Sequence, residues 1–138
     1  MTRRRARLEA RLAQLKAAVA AVGDLRPGTL SQQYNVCGTP GCRCKATPPK
    51  KHGPYYQVSF TWQGKSHSEF VRREEVPTMR QQVRNYQRLR QLVDRWVGVA
   101  MELSRLRLRE ARARVANSRP TTLVSGRTRG QRPPPVTR

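Results

Sequence analysis

The chain is short of acid. Eight Asp and Glu stand against 29 Lys and Arg, a formal net charge of +21 over 138 residues. Asp24 and Asp94 are the only aspartates. Paired carboxylates for general acid–base work need acidic neighbours that this sequence does not supply, so it reads as non-enzymatic. His67 and Glu69 fall on one strand face, where a hydrogen-bonded surface pair is the simpler reading. Long apolar runs are missing too. The longest, Ala17 to Val22, is far below the roughly 20 residues that span a bilayer. Arg3-Arg4-Arg5 ahead of it is a poor signal peptide, because Gln14 and Lys16 interrupt the apolar stretch, and Glu9 counts against a transit peptide. A cytoplasmic protein with no membrane partner is expected. With 36% hydrophobic residues and a mean hydropathy of -0.80, a single large core is out of reach.

Cysteine is scarce but concentrated. All three lie between Cys37 and Cys44, and one of the two histidines follows at His52, giving C-x4-C-x-C-x7-H. Three thiolates and an imidazole make a tetrahedral set for Zn2+. Gly38, Pro40 and Gly41 supply the turns that fold such a loop back on itself. A disulfide framework leaves one cysteine over, and unliganded or redox thiols are the competing reading. The expected ligands are Cys37, Cys42, Cys44 and His52, with His67 in reserve for the fourth place. Four protein donors leave no open position for water, so the zinc is read as structural.

A charge this one-sided destabilises a compact monomer by self-repulsion. A polyanionic partner offsets it, with nucleic acid (DNA or RNA) ahead of anionic membrane. No acid occurs between Asp24 and Glu69, an interval that carries Arg43, Lys45, Lys50 and Lys51. Arg43 and Lys45 also suit a zinc–thiolate site of formal charge about -1, whereas Lys50 and Lys51 are better placed for phosphate. Arg80, Arg84 and Arg88 recur every fourth residue further on. A solvated face explains most single arginines; as a set they form a basic ridge.

Four segments follow from the pattern: a basic amphipathic helix in 1–23, a zinc loop and β-hairpin module in 28–72, a long basic helix in 76–116, and a disordered Arg/Pro-rich tail in 117–138. Leu8, Leu12, Leu15, Val19 and Val22 make the first helix's stripe. Its leading arginines oppose the helix dipole, so the first turn should fray unless it meets an anion. Leu30 and Tyr34 anchor the approach to the cysteines. Tyr55 to Trp62 alternates as a strand, Gln63-Gly64 turns, and Lys65 to Val71 returns, with Phe60 facing His67 and Val58 facing Glu69. Tyr55, Tyr56, Phe60 and Trp62 could stack nucleobases, but core is the favoured reading. From Pro77 to about Val115 apolar residues recur at three and four, including Val76, Val83, Val93, Trp96 and Leu103. The repeat approximates a coiled-coil heptad, but Arg90 sits in its seam.

The block Gln33-Tyr34-Asn35-Val36-Cys37-Gly38, Pro40-Gly41-Cys42 and Cys44, then His52-Gly53-Pro54-Tyr55-Tyr56, resembles an uncharacterised family of small bacterial and archaeal proteins, catalogued as a domain of unknown function and associated with mobile elements. The resemblance spans about residues 28–105 and includes a tyrosine near the start of the long helix, here Tyr86. It implies a family and no activity.

The expected fold is α+β: an N-terminal helix, a Cys-rich zinc loop with a short antiparallel hairpin, and a long helix packing antiparallel on the first. The expected function is a zinc-stabilised, nucleic-acid-binding accessory protein acting mainly through phosphate contacts. The alternative is a structural protein whose long helix self-associates as a homodimer or docks a protein partner.

Overall fold

A computed structural model of the protein describes residues 2–120; the expected tail beyond Pro120 lies outside them. Among the described residues the chain forms helix α1 (Arg3–Ala20), strand β1 (Thr29–Asn35), strand β2 (His52–Trp62), strand β3 (Lys65–Val71) and helix α2 (Val76–Ser118). The sheet order is β1-β2-β3, antiparallel throughout. No helix among the described residues is long and apolar enough to cross a membrane.

α2 is the spine, with 43 residues and a length of about 65 Å. Its first turns carry the sheet. Val58, Val71, Val76 and Val83 form one buried cluster, flanked by Leu30, Tyr56 and Met79. Val58 has no exposed surface at all. Pro77 near the helix start and Glu75, which accepts the Arg72 N–H at 3.1 Å, fix the entry from β3 into α2.

The rest of α2 carries α1, antiparallel. Arg5 meets Glu110 at 3.1 Å, Glu9 meets Arg107 at 3.1 Å, the Lys16 ammonium lies 5.6 Å from the Trp96 ring centre, and the Asp24 carbonyl accepts from Asn85 at 2.7 Å. Leu15, Leu92 and Leu103 are buried in this half. The dipole conflict at the start of α1 is thereby resolved. Thr2 caps the helix by accepting the Arg5 N–H, and α2 supplies the anions, Glu102 to Arg4 and Glu110 to Arg5. Hydrogen bonds from Arg5 and Arg107 hold the Glu9 carboxyl below its ordinary pKa. This contribution is present at neutral pH and is lost as pH falls through that depressed pKa.

The hairpin follows the expected register, with Phe60 opposite His67 and Val58 opposite Glu69. Gln63 and Gly64 both have positive φ, 50° and 77°, as a two-residue turn of this type needs. Three expectations change. The hairpin is not alone: β1 adds a third strand, although T-L-S-Q-Q-Y-N has no alternating apolar residues. Backbone pairing to β2 makes it a strand, and only Leu30 joins the core. Tyr34 is 53% exposed and is no anchor, and Tyr55 and Trp62, at 43% and 60%, are not core; Trp62 stands beside the turn. Val93 leaves the α2 seam, which runs through Leu92 instead.

Leu103→Ala should therefore cost about 3 kcal/mol in denaturant unfolding, whereas Val93→Ala should stay within about 0.5 kcal/mol. Equal costs would mean the helix is rotated from this packing.

Candidate metal centre

Sheet pairing closes the cysteine loop. Asn35 near the end of β1 is in register with His52 at the start of β2, so the residues just beyond Asn35 and the imidazole begin close together. Cys42 then leads into a single 3-10 turn, Arg43–Lys45, which carries Cys44. The turn is fixed by backbone bonds: Lys45 N–H to the Cys42 carbonyl at 3.0 Å, and both Ala46 and Lys50 N–H to the Arg43 carbonyl at 3.1 Å. Gly53 completes the closure. Its φ is 133°, and a Cβ there would lie 2.7 Å from the Gln33 carbonyl oxygen, so no other residue can follow His52 without moving β1.

The ligand atoms of Cys37, Cys42, Cys44 and His52 all lie within 4.8 Å of one another. Cys37 Sγ is 3.6 Å from Cys44 Sγ, and Cys42 Sγ is 3.3 Å from His52 Nε2. An ion held at about 2.3 Å from sulfur and 2.0 Å from nitrogen sets tetrahedral edges of about 3.8 and 3.5 Å, so these two spacings already fit. Cys44 is 1% exposed and the other three are half-buried. The thiols are unequal. The Thr39 backbone N–H, then His52 and the neighbouring cysteines, bring the Cys37 pKa down to about 6, while burial pushes that of Cys44 up. Bringing a buried thiol to the thiolate needs a compensating positive charge, which a metal ion supplies.

His67 takes no part. It stacks on Phe60 with ring centres 5.1 Å apart, and Phe60 lies eight residues along β2 from His52, about 26 Å in an extended strand. The expected cationic residues are all exposed: Arg43 and Lys45 on the 3-10 turn, Lys50 and Lys51 just before β2, and Arg80, Arg84 and Arg88 along α2. None of the seven forms a salt bridge among the described residues. Phe70 carries no role in the sequence reading, and Arg26 counts there only among the cations between Asp24 and Glu69. Phe70, next to last in β3, is 79% exposed; with Val71 facing inward, period-two alternation already sends it outward. Arg26 bonds Glu69 at 2.9 Å and lies 5.1 Å over the Phe60 ring.

A sheet that gathers three cysteines and a histidine at one end, packed on the first turns of a long helix, defines a small α+β module with a candidate metal site. The chain belongs to the family described as Domain of unknown function (DUF6788), which matches residues 1–81. That span includes α1, which the motif resemblance left out, and the whole Cys3His block. No curated protein and no solved structure matches the chain.

Protein prepared under reducing, chelator-free conditions should contain about one equivalent of divalent metal by elemental analysis. Cys44→Ser should abolish it. His52→Ala should weaken retention against a chromophoric chelator, whereas His67→Ala should leave it unchanged. Loss on His67→Ala alone would contradict the ligand set.

Proposed function

We propose that the protein is a zinc-stabilised, non-enzymatic nucleic-acid-binding accessory protein that acts mainly through phosphate contacts. For the metal, the donor set supports Zn2+: three thiolates and one imidazole suit its softness and its tetrahedral preference. A closed set of four makes the site structural. With three thiolates the occupied site carries a charge of about -1, and the adjacent Arg43 and Lys45 help stabilise it.

For the partner, one observation carries the reading. Against a net charge of +21, only Arg4, Arg5, Arg26 and Arg107 reach a carboxylate among the described residues. The remaining described cations are left for solvent or an external polyanion, and phosphate backbones are the commonest one. Arginines on a rigid helix, such as Arg80, Arg84 and Arg88, lose less entropy on engaging phosphates than a flexible segment does.

The second reading, self-association or protein docking through the long helix, has its own support. Val93, Val97, Met101, Leu108 and Val115 are 40–64% exposed and recur at four and seven residues, a continuous apolar stripe beside the α1 seam. Salt separates the two. An apolar helix contact holds or tightens as salt rises, whereas phosphate binding weakens steeply.

On duplex DNA, log affinity should fall linearly with log salt, by about 0.9 per phosphate contact. Changing Arg80, Arg84 and Arg88 together to Gln should reduce that slope by up to about 2.7 and weaken all sequences nearly equally. Titrations by fluorescence anisotropy check this. Affinity weaker than about 10⁻⁴ M at physiological salt would remove the nucleic-acid reading.

A further inference from the structure

The sheet has two very different faces. The inner one, with Val58, Tyr56 and Val71, closes on α2. The outer one is uncovered. Along it, Ser59 and Ser68 share a hydrogen bond at 3.2 Å, Thr61 and Ser66 one at 3.4 Å, and Ser31 donates to the Gln57 carbonyl at 3.3 Å. Two rings stand on this polar field. Phe70 is directly opposite Gln57 and is 79% exposed; Tyr55, two residues before Gln57 on the same face, is 43% exposed. Diagonal neighbours of this kind lie about 7–8 Å apart, within reach of a common ligand.

Fold stability does not account for Phe70. It covers nothing, and an exposed phenylalanine on an edge strand invites aggregation unless something occupies it. What occupies it is constrained by charge. The three strands carry a single acid, Glu69, which lies on the inner side in register with Val58 and is tied to Arg26. The outer face therefore has none. Lys50 and Lys51 immediately precede β2 and Arg72 immediately follows β3, all exposed. A second copy of so basic a chain is repelled from such a face. A ligand with flat apolar rings, polar edges and a negatively charged backbone matches each feature: rings for Phe70 and Tyr55, hydroxyls and amides for the edges, cations for the backbone.

We propose that the outer face of the sheet is a stacking platform for single-stranded nucleic acid, with Phe70 and Tyr55 stacking unpaired bases. This rests on the nucleic-acid reading above and specifies it. Paired bases are stacked on each other and cannot present their faces to a flat sheet, so the platform selects single strands over duplex. The phosphate contacts set the salt dependence, and the rings set the preference for strand state.

The test uses the full chain with its metal, a fluorescein-labelled oligothymidylate, and a duplex of equal length. Phe70→Ala and Tyr55→Ala should each weaken single-strand binding about tenfold and leave duplex affinity and the salt slope unchanged. Phe70→Trp should keep single-strand affinity, with extra tryptophan emission quenched on binding. Circular dichroism and metal content confirm that each variant is folded. Single-strand affinity that survives both alanine variants, in a protein that still binds duplex, overturns the platform and leaves the phosphate reading standing. Equal loss on single strand and duplex overturns it as well. No binding to either nucleic acid removes both readings. Sedimentation showing that Phe70→Ala dissociates a dimer, with strand affinity unaltered, would assign the face to a second copy and overturn the proposal.

Discussion

The closure of the sheet's inner face over the first turns of α2 holds everything else in place. Three strands alone leave a half-exposed sheet of marginal stability. Val76 and Val83 cover Val58 and Val71, and the sheet gains a second layer. With β1 and β2 fixed, Asn35 and His52 are held in register and the cysteine loop is stretched between them. The metal ligands thus inherit their positions from a small valine cluster, and an ion bound by the loop would in turn hold the open end of the sheet. Neither part is large enough to be independent of the other.

The distribution of acid explains much of the rest. Glu102 and Glu110 draw arginines of α1 onto α2, Glu9 of α1 draws Arg107 of α2 in return, and Glu69 ties Arg26 across the sheet. These pairs are surface pairs and individually weak. Their value is in register: they fix how far α1 slides along α2 when its Leu and Ala stripe would tolerate several alignments. Because so few acids exist and four serve this internal purpose, the cysteine loop and the Arg80 to Arg88 side of α2 keep their charge.

Both helices, the hairpin register and the clustering of Cys37, Cys42, Cys44 and His52 were legible in the sequence, because each is written in local periodicity or spacing. Val58 facing Glu69 follows from counting outward from Gln63-Gly64. β1 was not legible, since its strand state depends on a distant backbone and its side chains are mostly polar and exposed. The hairpin register, which carries His67 to the far end of β2, also decides for His52 over His67. Phe70 was hidden by habit of reading: an aromatic in a strand suggests core, and only the burial of Val71 next to it forces the ring outward. The anions that the start of α1 needs were not legible either, because Glu102 and Glu110 lie about a hundred residues away.

Thr2 donates to Glu110, 108 residues along the chain. Among the described elements α1 is synthesised first and is therefore among the last to find its place. The sheet and the opening of α2 can assemble once residue 83 has emerged, but α1 has no docking surface until most of α2 has followed. At typical synthesis rates that interval is on the order of a few seconds. During it, an arginine-rich amphipathic segment waits with its apolar stripe unmatched, beside a ribosome whose surface is itself RNA. Assembly order thus leaves α1, among the described elements, waiting longest for its packing partner.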